Sequence, residues 1–400
     1  MMPDRIVLKT MTQLSPTPFF ATRAERVKLA RRRYFEEGLP PSGVVSDAVF
    51  QSWARCQRLR QEPAHRVAFQ PVTASRMHQT LRKNHSLHEA WLAELPQIQA
   101  ALGTTTCAAM LTDSTGVLIG SACIGRAHER LMPVAARIGV DLSEEAVGTT
   151  APGVVVRTQQ PLTVLGDEHF FDAIGIMHCA AAPIRDAEGN LAGVLDVSSE
   201  TIPFNFDVAS VVGLFAGAIE NRLLVATSRE HLVIRLQVLA SLLDSPVVGV
   251  VGIDGTGQVA WCNGVASRLL GLPPFEQRTV PTSAEAVLGA GIARLASLPR
   301  SGAAALQLPN GLKVWARAEM RAPDGHRNLI QAARINEHDS TVASAAPHSN
   351  APATLRESSR DLIERTLQTC GGNVSEAART LGVSRGVIYR RLRSADAPAD

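Results

Sequence analysis

Lysine is scarce in this 400-residue chain, because nearly all of its 40 basic residues are arginine. The lysines lie only at positions 9, 28, 83 and 313, and Lys9 alone is followed by a Ser or Thr. A P-loop needs Gly before the lysine and Ser or Thr after it, since the loop and the lysine together hold the phosphates. Leu8 precedes Lys9, so the sequence contains no P-loop and excludes that class of ATPase.

Long hydrophobic runs and paired cysteines are also missing. The longest apolar stretch, at about 208–219, is shorter than the roughly 20 residues that cross a bilayer as a helix. Arg5, Lys9 and Gln13 interrupt the first residues, which do not resemble a signal peptide. The six cysteines show neither a CxxC pair nor a disulfide framework. We therefore expect a cytoplasmic protein without a membrane partner.

Charge is small over the whole chain and concentrated near one end. The net charge is +3 at pH 7, and 45% of the residues are hydrophobic. A chain of this length predicts roughly two to four domains with cores of their own. Between Arg379 and Arg393 there are five arginines and no acidic residue, and neutralisation of phosphates requires such a single sign. This pattern predicts a DNA-binding tip on a nearly neutral body.

The same segment has the pattern of two short helices joined by a turn. Gly382 stands where the first helix must end, because a left-handed backbone costs glycine little, and Ser384 suits the N-cap of the next. Val387, Ile388 and Leu392 are predicted to face inward. The outward-facing residues are predicted to be Arg385, Tyr389, Arg390, Arg391 and Arg393. This is the plan of a helix-turn-helix, whose second helix enters the major groove; a helical hairpin with a solvated basic face is the alternative.

Residues 354–393 resemble the Fis-type helix-turn-helix. The resemblance is carried by Gly372-Asn373, Ala377-Ala378, Leu381-Gly382-Val383, Ser384-Arg385 and Tyr389-Arg390-Arg391-Leu392. It implies a homodimer whose recognition helices read half-sites ~34 Å apart on double-stranded DNA. We expect base contacts from Ser384, Arg385, Val387, Tyr389 and Arg390. We expect phosphate contacts from Arg379, Thr380, Arg391 and Arg393.

Residues 97–200 alternate between strand and helix patterns. Residues 107–113 and 117–120 predict two strands around a tight turn, and residues 179–186 and 191–197 repeat that plan. A helical stretch at 144–151 lies between the two pairs. This order predicts a central antiparallel sheet with helices packed on it.

Residues 148–200 resemble the GAF sensor domain of acetoin- and dihydroxyacetone-type activators. The resemblance is carried by Gly148-Thr149-Thr150, Val164-Leu165-Gly166-Asp167-Glu168-His169-Phe170, Cys179-Ala180-Ala181-Ala182-Pro183-Ile184 and Gly193-Val194-Leu195-Asp196-Val197-Ser198. It implies a pocket for a small molecule between the sheet and its covering helices. The expected effector contacts are Thr149, Asp167, His169 and Cys179.

Other segments complete the predicted α+β multidomain chain. Ser52-Trp53-Ala54-Arg55-Cys56 resembles a short motif that precedes the sensor in acetoin-type regulators, although a buried Trp on a core helix would look the same. Residues 206–243 predict one long helix, either a dimer stalk or a packed helix of the single chain. From Asp244 the chain resembles the opening of a PAS domain, on its Asp-x-x-Gly turn, Asn263 and a Leu-Leu-Gly helix end. The predicted domains are a mostly helical N-terminal region (1–84), a GAF-like sensor (85–225), a connecting helix (226–244), a PAS-like domain (245–336), a flexible linker (337–353) and an all-helical Fis-type domain (354–400).

Three chemical alternatives accompany this interpretation. Cys107, Cys123 and Cys179 lie in the GAF-like region and could form a thiol redox site, but buried cysteine is also a small hydrophobe. His169, His178 and Cys179 match no standard zinc spacing, so no metal or other cofactor is predicted. Glu144 and Glu145 could form a carboxylate pair, but negative charge also suits the start of a helix.

Regulators with this sensor and this DNA-binding tip often carry an AAA+ ATPase between them. Its P-loop and its sigma-factor loop, usually Gly-Ala-Phe-Thr-Gly-Ala, are both absent here. We therefore expect a dimeric transcriptional regulator that acts by occupancy, contacting RNA polymerase or blocking it. The alternatives are a GAF-based thiol enzyme of the methionine sulfoxide reductase kind and an architectural DNA-binding protein whose body only dimerises.

Overall fold

The structure, a computed structural model, describes residues 22–41, 43–122, 129–228, 230–273, 281–320 and 355–393. The predicted linker at 337–353 and Cys123 lie outside the described residues. The helices before the second sheet are α1 (Arg23–Glu37), α2 (Asp47–Arg58), α3 (Ala74–Lys83), α4 (His85–Leu102), α5 (Met132–Ala135), α6 (Glu144–Val147), α7 (Ala151–Thr158) and α8 (Val208–Thr227). Those that follow are α9 (Gly264–Leu270), α10 (Ala284–Leu288), α11 (Ile292–Ser297), α12 (Leu355–Thr369), α13 (Val374–Leu381) and α14 (Arg385–Arg393).

Ten strands form two five-stranded sheets. The strands are β1 (Cys107–Asp113), β2 (Leu118–Ala122), β3 (Leu162–Leu165), β4 (Met177–Arg185), β5 (Leu191–Glu200), β6 (Leu232–Gln237), β7 (Gly249–Ile253), β8 (Val259–Cys262), β9 (Ala304–Gln307) and β10 (Lys313–Met320). The first sheet has the order β2-β1-β5-β4-β3, and the second β8-β7-β6-β10-β9. These sheets and their helices confirm the predicted α+β class.

The turn between β1 and β2 shows how the sequence builds the first sheet. The Asp113 carboxylate accepts hydrogen bonds from the Thr115 and Val117 backbone N–H groups, at 2.9 and 3.0 Å. An Asp side chain that bonds the backbone ahead of it closes a turn locally. The two strands then pair antiparallel, with Leu111 opposite Gly120. The prediction of two strands around this turn is confirmed.

The predicted helix over 206–243 is wrong in its second half. Helix α8 ends at Thr227, and residues 232–237 instead form β6, which pairs antiparallel with both β7 and β10. Leu232, Val233 and Ile234 are each fully buried, because β6 is the central strand and both of its faces are covered. A short apolar run that is buried on all sides has no periodicity, so its sequence does not separate helix from strand.

Helix α8 (Val208–Thr227) is longer than the apolar stretch at about 208–219 that the sequence shows. Among the described residues it is the one helix that is long and apolar enough to cross a membrane, by length and composition only, and half of that stretch is buried in the protein. Its polar residues contact other parts of the chain: the Glu220 carboxylate accepts from the Arg185 backbone N–H at 2.9 Å, and the Asn221 amide donates to the Pro246 carbonyl at 3.0 Å. These contacts join α8 to the end of β4 and to the segment before β7.

The chain divides into two compact units. The first comprises the chain up to Ala74, Leu102–Ala182 and Asp196–Ala209; the second comprises Ser75–Ala101, Pro183–Leu195 and the chain from Ser210. Within the second unit, one hydrophobic cluster contains side chains from the second sheet, from α9 to α11 and from the last three helices. Helices α12 to α14 therefore pack together with the second sheet.

Candidate effector and nucleic-acid sites

Helix α2 packs against the residues that carry the GAF resemblance. Ser46 caps the helix by accepting from the Val49 N–H, and the helix then buries Ser52 and Trp53 completely. The Trp53 indole N–H donates to the Glu168 carbonyl at 2.8 Å, and the Ser52 and Thr149 hydroxyl oxygens are 2.7 Å apart. The five-residue motif is therefore a contact surface for the sensor fold.

Arg55 of the same helix forms a two-bond pair with Glu144. Its Nε and Nη2 groups donate to the two carboxylate oxygens at 2.7 and 2.6 Å. The Glu144 side chain is 5% exposed, so the carboxylate depends on this arginine for its neutralisation. Glu144 begins α6, which confirms the helix-start interpretation of the Glu144–Glu145 pair.

His169 and Cys179 meet inside the first unit. The His169 Nδ1 is 2.9 Å from the Gly166 carbonyl, and its Nε2 is 3.4 Å from the Cys179 sulfur. A carbonyl can only accept, so we assign the imidazole proton to Nδ1 and leave Nε2 to accept from the thiol. Burial lowers the pKa of His169 to about 4, which keeps the ring neutral at pH 7.

The Cys179 thiol stays protonated in this environment. Burial, with a smaller contribution from the nearby Asp196 carboxylate, raises its pKa above the ordinary thiol range. Burial likewise raises the pKa of Cys56 to about 11. A thiol nucleophile needs a lowered pKa and a cationic neighbour, whereas Cys179 has a neutral imidazole and a carboxylate.

Strand β5 contributes polar side chains that were not among the expected site residues. Asp196 is fully buried, and Ser198 Oγ donates to its Oδ2 at 2.6 Å. Burial raises the pKa of Asp196 to about 7. Among the described residues, Asp196 Oδ1 and Thr112 Oγ1, the latter on neighbouring β1, are buried without a hydrogen-bond partner. The available signal was a single Asp within the apolar run 191–197, two positions before Ser198.

The four expected effector contacts differ in their surroundings. Thr149 and His169 are buried at 0% and 1% exposure, and Cys179 is also buried. Asp167 instead lines a surface cleft of about 750 Å³ beside α1, together with Arg31. The buried Arg31 donates to the Phe170 carbonyl and to the Asp172 carboxylate, at 2.6 and 2.7 Å. The structure thus brings His169 and Cys179 together and places Asp167 at a surface cleft.

No metal-ligand cluster occurs in the part of the chain that the structure describes. No three His, Cys, Asp or Glu side chains converge there. His178 and Cys179 are successive residues of β4, and successive side chains of a strand point to opposite faces. This alternation places the His178 and Cys179 side chains on opposite faces of the strand.

The C-terminal helices have the local geometry of a helix-turn-helix. Asn373 caps α13 by accepting from the Glu376 N–H at 3.1 Å. Gly382 ends that helix in the left-handed conformation, at φ 62°, as the sequence predicts. Ile388 and Leu392 of α14 are buried with Val374 and Ala377 of α13 in the hydrophobic cluster of the second unit.

The expected DNA contacts differ in their exposure. Arg379, Thr380 and Ser384 are exposed, whereas Arg385 and Val387 are half-buried. Tyr389, predicted to face outward, is 1% exposed; this orientation was wrong, because the ring packs into the hydrophobic cluster of the second unit. The side chains of Arg390, Arg391 and Arg393 lie outside the described part of α14.

Two family profiles match the chain. The profile of the bacterial regulatory protein Fis family matches residues 354–394, and the GAF domain profile matches residues 86–223. The chain contains a GAF domain and a Fis-family helix-turn-helix. These matches confirm the Fis-type and GAF resemblances drawn from the sequence.

Similar proteins include bacterial transcriptional regulators. The chain is 28% identical over 203 residues to the acetoin dehydrogenase operon transcriptional activator AcoR of Bacillus subtilis, covering 50% of this chain and 33% of that protein. It is 26% identical over 234 residues to the acetoin catabolism regulatory protein of Cupriavidus necator, covering 57% and 35%. The matches thus span about a third of each relative's length. Among solved structures, the Escherichia coli DhaR(N)–DhaL complex aligns with a TM-score of 0.42 at 14% identity, over 68% of this chain and 99% of that one.

Proposed function

We propose that this GAF and Fis-family protein is a sequence-specific, DNA-binding transcriptional regulator. The observation that carries the proposal is the Fis-family match at 354–394 on two helices that share a core and a glycine turn. The five arginines between Arg379 and Arg393, with no acid among them, supply the single-sign charge that DNA phosphates need. The protein acts as a cytoplasmic homodimer, because paired recognition helices read paired half-sites.

The sensor input is a small molecule bound by the GAF domain. Buried polar groups on its strands, among them Asp196 and Thr112, retain oxygens with no partner among the described residues. Such groups cost free energy unless something pairs with them. Because the raised pKa of Asp196 keeps a share of its carboxyl protonated at pH 7, the residue can donate to a ligand oxygen. We therefore propose an effector that bears a hydroxyl or carbonyl group.

The protein is not an enzyme in this proposal. Its regulation works through occupancy of DNA, by contact with RNA polymerase or by blocking it, without ATP-driven promoter opening. The protonated Cys179 and neutral His169 favour this function over thiol redox chemistry. An architectural role without a ligand would leave DNA affinity indifferent to any metabolite.

The test is binding of the full chain to DNA from the region upstream of its own gene, at two salt concentrations. A chain lacking 354–400 is the control. Salt-sensitive binding that this deletion abolishes supports the proposal. Absence of sequence-dependent binding, both in the full chain and in the variant Gly255→Leu described below, would overturn it.

A further inference from the structure

Arg385, an expected base contact, is engaged within its own chain. Its guanidinium forms an ion pair with the Glu230 carboxylate, and its Nη1 donates to the Ser375 hydroxyl at 3.3 Å. Glu230 lies between α8 and β6 and holds a left-handed backbone at φ 56°. The arginine side chain is 32% exposed and the glutamate 34%. The first residue of α14 is thus held by an acidic group of the second-sheet region.

Gly255 brings the turn between β7 and β8 against the helix-turn-helix. Its carbonyl accepts from the Ser375 backbone N–H at 3.0 Å. A Cβ atom at position 255 would lie 2.2 Å from Ser375 Oγ and 2.8 Å from Arg385 Nη1. Gly255 is not among the glycines with positive φ, so a side chain at this position is opposed by the Ser375 and Arg385 side chains and not by the turn itself.

The apolar side of α14 extends this contact. Helix α14 packs against α11, and Tyr389 belongs to the same hydrophobic cluster as Leu295 of α11. The Tyr389 hydroxyl is buried without a hydrogen-bond partner among the described residues. Burial raises the pKa of Tyr389 to about 12, and the nearby Asp254 carboxylate adds to that shift.

We propose that Glu230, the Asp254–Gly255 turn and α11 form a docking surface for the recognition helix α14, and that this surface competes with DNA for it. The docking surface does not depend on the proposed function, whereas the competition with DNA rests on it. One guanidinium cannot form a bidentate contact with a guanine edge while it is paired with a carboxylate. Release of α14 therefore precedes sequence reading, and signals that reach the second unit act on DNA binding by shifting this equilibrium.

The size of the effect follows from the population that is released. The apparent association constant for DNA equals the intrinsic constant multiplied by the fraction of protein in the binding-competent state. If about a tenth of the molecules are undocked, a variant that cannot dock binds DNA about tenfold more tightly.

The experiment uses the full chain with two docking variants and two matched controls. Gly255→Leu places a side chain where Ser375 and Arg385 lie, and Glu230→Gln removes the charge that pairs with Arg385. Gly213→Leu introduces the same side chain at an exposed position of α8, where nothing lies within 4 Å. Glu285→Gln removes an exposed carboxylate of α10. Each protein is measured for amide hydrogen exchange in α13 and α14 without DNA, and for affinity to the upstream fragment.

The docking variants are expected to exchange faster in α14 and to bind DNA about tenfold more tightly, with both controls unchanged. Wild-type exchange and wild-type affinity in both docking variants would overturn the docking surface. Faster exchange without any gain in affinity, in a protein that binds DNA, would overturn the competition. Faster exchange in variants that bind no DNA at all would instead overturn the proposed function and leave the docking surface supported.

Discussion

The hydroxyl oxygens of Ser52 and Thr149 lie 2.7 Å apart, although 97 residues separate them in the sequence. Both residues are fully buried, and the Cys56 sulfur lies 3.8 Å from the same Thr149 oxygen. The short helical motif and the first glycine-threonine piece of the GAF domain therefore share one buried polar contact. A displacement of the Thr149 side chain would therefore break its contact with Ser52 of α2.

Replacing one member of this pair is expected to cost more than replacing both. Thr149→Val leaves the Ser52 hydroxyl buried beside a methyl group, which lowers the free energy of unfolding by about 1–3 kcal/mol. The double variant Ser52→Ala/Thr149→Val removes both polar groups and should recover part of that loss. Denaturant unfolding of Ser52→Ala, Thr149→Val and the double variant gives the coupling energy. Strict additivity would contradict the pairing.

Arg55 is expected to be more important than a surface ion pair. Arg55→Ala strands the buried Glu144 carboxylate, and breaking such a pair costs about 3–5 kcal/mol. The variant Arg55→Ala/Glu144→Gln removes the uncompensated charge and should be more stable than Arg55→Ala alone. The control is Arg137→Ala, at an exposed arginine that, among the described residues, donates only to backbone carbonyls. An equal, small loss for Arg55→Ala and Arg137→Ala would refute the role assigned to Glu144.

The stability of the GAF domain should decline between pH 4 and pH 7 through Asp196. Its folded pKa is about 7 against an ordinary value of 3.8, so the folded protein binds a proton that the unfolded chain has already lost in this range. The contribution is fully present below about pH 4 and is lost as the pH rises through about 7. Asp196→Asn should flatten this dependence in thermal unfolding across pH 4–8. A dependence identical to that of the wild type would contradict the raised pKa.

The buried thiols should be unreactive in the folded protein. Cys56 and Cys179 are buried and have raised pKa values, whereas Cys107, Cys262 and Cys370 are half-buried. An alkylating reagent at pH 7.5, followed by peptide mass analysis, should label the half-buried group first. Labelling in denaturant checks that all six cysteines of the chain can react. Rapid labelling of Cys179 in the native protein would favour the thiol-enzyme alternative.

Two arginines of the helix-turn-helix should respond differently to substitution. Arg379 is exposed and is expected to contact phosphate, so Arg379→Gln should weaken specific and non-specific binding alike and reduce the salt slope by about 1. Arg385→Ala should reduce the ratio of specific to non-specific affinity by ~1–3 kcal/mol. That ratio isolates base reading, because docking competes equally with both kinds of DNA. Titration against specific and scrambled duplexes at several salt concentrations measures both.

The local elements of the DNA-binding tip were predictable because their signals are local. Gly382 ends α13 through its left-handed backbone conformation. Asn373 begins the helix by capping an N–H group three residues further along the chain. The Asp113 turn between β1 and β2 is equally short in range. The prediction at β6 was wrong because no local signal decides it. Residues 232–236 form a strand because β7 and β10, which are distant in sequence from parts of it, supply its hydrogen bonds.

The sequence by itself determined the GAF and Fis-type motifs, the arginine-rich tip and the absence of a P-loop from this sequence, since each is recognised within a short stretch of neighbouring residues. Only the tertiary structure decided that His169 meets Cys179 while Asp167 lies in another cleft, and that Tyr389 is buried. It alone placed Glu230 beside Arg385, 155 positions along the chain. Such contacts depend on which surfaces pack together, and the free energy of packing belongs to pairs of distant segments that no local pattern encodes.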